Sequence, residues 1–237
     1  MNILVLDTSS IVASVAIGDE QKLIAEYTIN HKKTHSQKLL PMIDEILKSC
    51  DLKPKDIDVF GVSLGPGSFT GLRIGLTTVK VMAQALDKPV VGVSSLEGLA
   101  HNVPYFDGLI CPIIDAQRES VYSAIYSWDE GELKIVMEQD VFEVTDLIEH
   151  IKNLNQRVIF IGDGVERFKA STIESLPNIS SFPSSNLLLP RAGSILEVVR
   201  KKAEKGLLEQ AHEVLPIYMR KSQAERQYEA RMGGCEF

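Results

Sequence analysis

Cysteine is scarce in this chain. Its 237 residues hold three, Cys50, Cys111 and Cys235, with no C-x-x-C pair. An odd, scattered set excludes a disulfide framework and a zinc ribbon and suits a reducing, cytoplasmic compartment. Positive charge is also short, with 25 Lys and Arg against 32 Asp and Glu and a net charge of −7. A free-standing nucleic-acid binder needs a basic face, so any such surface is expected from a partner. No apolar run reaches the ~18 residues of a membrane-spanning helix. The opening Met1-Asn2-Ile3-Leu4-Val5-Leu6-Asp7 lacks a basic leader and meets an acid at once, so it reads as a strand rather than a secretion signal. What remains, 44% hydrophobic and 24% charged, is ordinary for a globular chain of one large or two small domains.

The most informative stretch is Asp58 to Asp87. An apolar run, Val59 to Leu64, leads into Gly65-Pro66-Gly67-Ser68-Phe69-Thr70-Gly71 and then a helical pattern to Leu86. Gly65, Gly67 and Gly71 permit positive φ and a close approach of ligand or chain. Free N–H groups at Gly67, Ser68 and Phe69 would favour an anion at the helix N-terminus. Missing, however, are the Lys-Ser or Lys-Thr of a phosphate loop and the spacing G-x-G-x-x-G. Two readings stay open: a turn beside a ligand or interface, or a turn that only lets strand and helix pack tightly.

The surrounding pattern repeats. Strands are expected at Ile3–Leu6, Ile11–Ile17 and Leu23–Ile29, then a helix over Thr34–Cys50, capped by Thr34 or Ser36 and disturbed by Pro41. After the glycine stretch come a strand at Val90–Val93 and a short helix capped by Ser94. A second series follows: strands at Leu109–Ile114, Val121–Tyr126 and Leu133–Met137, a helix at Thr145–Asn153, and Val158–Ile161 running into Gly162-Asp163-Gly164. Asp115 answers to Asp7, and Gly162-Asp163-Gly164 to Gly65-Pro66-Gly67. The expected division is 1–105 and 106–220, with an exposed tail at 221–237.

Two βββαβα halves, each with an acid at its first hairpin, resemble the α/β actin-like ATPase (ribonuclease H-like) superfamily. Within it, Leu4-Val5-Leu6-Asp7-Thr8-Ser9, His35-Ser36-Gln37-Lys38-Leu39-Leu40-Pro41, Gly65-Pro66-Gly67-Ser68-Phe69-Thr70-Gly71-Leu72-Arg73-Ile74-Gly75 and Asp115-Ala116-Gln117-Arg118 with Val121-Tyr122 are similar to the TsaB (YeaZ) family. Gly162-Asp163-Gly164 and Pro216-Ile217-Tyr218-Met219-Arg220 agree more loosely. The resemblance implies a role in making N6-threonylcarbamoyladenosine beside the tRNA anticodon. It further implies that the paralogue TsaD carries the catalysis, that the ATPase TsaE joins a larger complex, that tRNA is met only indirectly, and that the chain pairs with itself when the partner is absent.

The chemistry that survives is thin. The metal-binding H-x-x-x-H of the catalytic paralogue falls on Ser95 and Leu99, and its ligating Asp on the stretch Pro190-Arg191-Ala192-Gly193-Ser194. Neither a hydroxyl nor an isobutyl group holds a first-row metal, which argues against metal-dependent transfer and against the metallopeptidase label of the wider family. His31 and His35 are spaced i, i+4, but Lys32 and Lys33 between them disfavour a cation. Two roles remain for Asp7 and Asp115: holding magnesium with ATP or ADP, as in a phosphotransferase, or capping their own hairpin turns. On the first view a nucleotide cleft would use Asp7, Thr8, Ser9, Gly65, Gly67, Asp115, Gly162 and Gly164, with Arg73 and Arg118 as the nearest cations. The favoured view is a non-catalytic binding subunit without catalytic residues. The family's four-helix interface then maps to Leu39, Leu40, Ile43 and Leu47 on the first helix and Leu72, Gly75, Leu76, Val79, Met82 and Ala83 on the second. On that mapping Gly75→Arg breaks the complex and spares the monomer.

Overall fold

The computed structural model describes residues 1–31 and 35–221. Runs of Val, Ile and Leu form two five-stranded sheets. The first contains β1 (Ile3–Asp7), β2 (Val12–Gly18), β3 (Leu23–Asn30), β4 (Val59–Gly65) and β5 (Val90–Ser94), ordered β3-β2-β1-β4-β5. The second contains β6 (Leu109–Asp115), β7 (Ser120–Asp129), β8 (Glu132–Glu143), β9 (Val158–Ile161) and β10 (Ser180–Ser181), ordered β10-β9-β6-β7-β8. Taken from the opposite edge, the two orders are the same. In each sheet the first strand pairs antiparallel with the second and parallel with the fourth. This is the α/β, actin-like architecture of two βββαβα halves. Strand β8 extends well past Met137, because Asp140 to Glu143 continue its pairing with β7.

Helix α1 (His35–Ser49) buries Leu39, Met42, Ile43, Ile46 and Leu47 against the first sheet. At roughly 1.5–3 kcal/mol per buried side chain, this face outweighs the intrinsic propensity of the segment. Pro41 lies inside α1 and is exposed; the bond it forgoes would have reached Gln37 in the opening turns. Thr34, one of the expected caps, lies outside the described residues, as do Cys235 and all of the tail beyond Lys221. Ser36 falls within the helix instead of capping it.

Helix α2 (Phe69–Leu86) is N-capped by Ser68, whose Oγ accepts from Gly71 N at 3.2 Å. Helices α3 (Ser95–Ala100), α4 (Val144–Leu154) and α5 (Gly164–Ser175) follow. Helix α6 (Ala192–Glu204) returns to the first sheet, where Ala192, Ile195, Leu196 and Val199 pack with Ile3, Val5, Val91 and Val93. A boundary at 105/106 therefore assigns α6 by sequence to the half on which it does not pack. Among the described residues no helix is long and apolar enough to cross a membrane.

Candidate functional site

Strand β1 delivers Asp7 to the turn before β2, between the two halves. Its side chain is 1% exposed. Oδ1 accepts from Ser9 N and Ser9 Oγ, each at 2.8 Å, while Oδ2 is buried with no hydrogen-bond partner. Burial pushes its pKa above the ordinary carboxylate value, against the lowering effect of the Ser9 bonds. Above that raised pKa the ionised group weakens the fold; as pH falls through it towards the unfolded value near 3.8, the penalty disappears. Asp7→Asn keeps an acceptor for both Ser9 donors and removes the charge. It is expected to raise stability at neutral pH by the penalty of the buried charge less the cost of leaving its Nδ2 donors unpartnered where Oδ2 stood, with the gain vanishing towards acid. Urea denaturation across pH checks this; a loss, or a gain that does not change with pH, contradicts it.

The glycine stretch packs on this same turn. A Cβ on Gly67 would stand 2.2 Å from Ser9 O, one on Gly71 2.1 Å from Thr8 O, and one on Gly75 2.3 Å from Thr8 Oγ1. These glycines let α2 lie directly on the Thr8–Ser9 backbone. Of the three N–H groups expected to face an anion, that of Ser68 is engaged there. Ser68 N donates to Ser9 O at 2.6 Å and Thr8 Oγ1 donates to Gly71 O at 2.7 Å. Of the two readings of the loop, the geometry supports close packing. In the second half Gly162, at φ +113, and Gly164 approach Ile113 O in the same way.

A polar cleft of about 510 Å³ opens between the halves. From the first half come Ser9, Ser10, His35, Gly67, Ser68 and Phe69; from the second come Asp115, Gln117, Tyr122 and Asp163. Asp7, Thr8, Gly65, Gly162 and Gly164 do not line it. His35 Nε2 lies 2.8 Å from Ser10 O. Asp115 is 38% exposed and sits 3.3 Å from Arg167, whose other arm holds Glu119 at 2.6 Å. Asp163 is pushed above the usual carboxylate range, first by burial and also by the neighbouring Asp115 charge. Asp7 sealed in the floor and Asp115 ion-paired at the rim do not fit a magnesium–nucleotide site of the kinase kind.

The closing wall of the cleft is a segment whose position sequence reasoning missed. Residues 214–221 cross from the first half to the second. Ile217 N donates to Leu64 O at 2.8 Å, Tyr218 stacks on Phe69 with centroids 4.4 Å apart, and Arg220 Nη1 donates to Ala116 O at 2.7 Å. The available signal was the run Pro216-Ile217-Tyr218-Met219-Arg220, whose aromatic and cation stand among apolar residues in a segment with no helical or strand period.

On the outer side of α1 and α2 lies a second, apolar concavity. One part, about 650 Å³, is lined by Leu40, Phe69, Arg73, Ile74, Val81 and Met82 among others; a continuation of about 900 Å³ shares Leu40, Val81 and Met82. Leu40 is 59% and Val81 60% exposed. Five of the expected interface residues line this groove: Leu40 is largely exposed, Met82 half-buried, and Leu39, Ile43 and Leu47 form its buried floor. Leu72, Gly75, Leu76, Val79 and Ala83 line neither part and are buried within the chain. Ile74 and Val81, off the buried stripe of the second helix, line the groove as well.

This architecture recurs in known proteins. Residues 22–228 match the family model described as TsaD: tRNA N6-adenosine threonylcarbamoyltransferase. The chain is 36% identical over 228 residues to the tRNA threonylcarbamoyladenosine biosynthesis protein TsaB of Bacillus subtilis, covering 96% of this chain and 98% of that one. It is also 27% identical to the TsaB of Escherichia coli, over 94% of this chain and 96% of that one. The chain belongs to the TsaB family. The crystal structure of YeaZ from Pseudomonas aeruginosa agrees at TM-score 0.74 and 26% identity, over 92% of this chain and 99% of that one. Component A of (R)-2-hydroxyglutaryl-CoA dehydratase from Acidaminococcus fermentans shares the fold at TM-score 0.50 and 11% identity, over 86% of this chain and 99% of that one.

In this TsaB-family chain the positions that the resemblance matches to metal ligands make structural contacts. Ser95 Oγ lies 2.7 Å from Ser63 Oγ in a buried pair. Leu99 is 1% exposed in the apolar cluster between the two sheets. Arg191 pairs with Glu26 at 2.5 Å and precedes α6. Among the described residues no three His, Cys, Asp or Glu side chains group as a metal site.

Proposed function

We propose that this chain is the non-catalytic, partner-binding subunit in tRNA threonylcarbamoyladenosine biosynthesis, docking a TsaD-family subunit through the groove on α1 and α2. Its place in that biosynthesis follows from its family. The observation that carries the docking reading is the groove itself, with Leu40 and Val81 largely exposed in one continuous apolar surface. An apolar face of this extent is covered when the protein works. The partner supplies the reaction's metal and meets tRNA, in keeping with the net charge of −7 here. A TsaE-type ATPase joins in a larger cytoplasmic assembly, and a second copy of this chain covers the groove when the partner is missing. The sealed Asp7 carboxyl supports a subunit that turns over no nucleotide of its own.

Reconstituted tRNA modification with a TsaD-family transferase tests this. Omission of the chain is expected to reduce threonylcarbamoyladenosine to background. Equal modification without it, or ATP turnover by the isolated chain, overturns the reading.

A further inference from the structure

At the cleft end of the groove stands Arg73. Its guanidinium carbon lies 4.1 Å from the Phe69 ring centroid, and its Nε donates to the Tyr218 hydroxyl at 3.1 Å. Stacking and tether together hold the planar head in one orientation while both Nη groups stay free of that bond. Arg220 shares with it a concavity of about 370 Å³, lined also by Phe69, Tyr218, Met219 and Lys221. Of the other described arginines, Arg167, Arg191 and Arg200 each pair with a carboxylate, while Arg118 and Arg157, away from the groove, do not. Among the described residues Arg73 and Arg220 have no such pair; their hydrogen-bond acceptors are a phenol and a carbonyl. Two guanidinium charges thus stand without a carboxylate among the described residues at one end of the apolar groove.

We propose that Arg73, backed by Arg220, receives a carboxylate of an Asp or Glu side chain on the partner protein seated in the groove. This rests on the docking function proposed above. A guanidinium fork matches a carboxylate in bidentate fashion, and one already held in place loses little freedom on binding. Phosphates of a nucleic acid would suit the charge. They do not suit the adjoining apolar surface, which Arg73 itself lines with Ile74 and Val81. An apolar centre with a fixed arginine at its edge is a protein interface.

The test is titration calorimetry of this chain against the TsaD-family subunit at low and high salt. Arg73→Glu is expected to weaken binding about 30-fold or more and Arg73→Gln about tenfold, and both should remove much of the salt dependence. Tyr218→Phe, which frees the guanidinium but keeps the ring stack, is expected to cost a few-fold and so reports on preorganisation. Scanning the partner's acids to Arg in the Arg73→Glu background is expected to find one position that restores affinity. If Arg73→Glu and Arg73→Gln bind at wild-type affinity, this inference fails while the groove reading stands. If the wild-type chain does not bind the partner, both fail. If Arg73→Glu spares the protein complex but abolishes binding of bare tRNA by the isolated chain, the corner is a phosphate site and the inference is overturned.

Discussion

Val81→Asp is expected to abolish the complex with the TsaD-family subunit, raising Kd at least about 100-fold, with little change in the unfolding of the monomer. The side chain is 60% exposed on α2 and lines both parts of the groove. In the unassociated monomer an aspartate there stays in water, and its helix propensity is close to that of valine. Under a docked apolar surface the same carboxylate is stripped of water without a partner. Several kcal/mol of lost affinity follow, and each 1.4 kcal/mol is tenfold in Kd. Calorimetric titration beside a thermal melt separates the two effects. Undiminished binding sinks the groove as the docking site; a large fall in melting temperature shows that Val81 belongs to the monomer's core.

Gly75→Arg is expected to do the reverse, destabilising the monomer itself by about 3 kcal/mol or more. By helical spacing Gly75 shares the stripe of Leu72, Val79 and Ala83, and on the sequence it reads as a point where a partner helix comes close. In the fold that close approach is made by the chain's own backbone. The first carbon of a side chain at 75 would stand 2.3 Å from Thr8 Oγ1, whose hydrogen bond to Gly71 O ties α2 to the β1–β2 turn. The remaining arginine atoms would have to displace the buried Thr8 side chain. Urea denaturation of the purified variant checks this. A stable, folded Gly75→Arg monomer that has lost only its partner would restore the residue to the interface. Together with Val81→Asp it forms a pair on one helix: one substitution spares the fold and breaks the complex, the other breaks the fold first.

What could be read without the structure, and what could not, divides along local and long-range physics. Strand and helix order, the two-fold repetition of βββαβα and the family were legible, because period-2 and period-3.6 apolar patterns and glycine turns are properties of neighbouring residues. That Ser95 and Leu99 offer no metal ligand was equally visible, since side-chain chemistry needs no coordinates. The sequence by itself therefore determined the architecture, the family and the absence of metal-ligating side chains at those two positions. Tertiary structure alone decided which side of each helix remained open. A stripe such as Leu72, Leu76, Val79 and Ala83 declares that a face will be covered; whether its own sheet or another molecule covers it depends on contacts distant in sequence. Here the sheet took the stripe, and Leu40 and Val81, out of phase with it, were left facing outwards. The same holds for the acids. Asp7 and Asp115 occupy equivalent ends of equivalent strands. Packing of the Gly67–Gly75 stretch over the first turn seals Asp7, while Asp115 stays at the cleft rim with Arg167. Burial, not residue type, set their different characters.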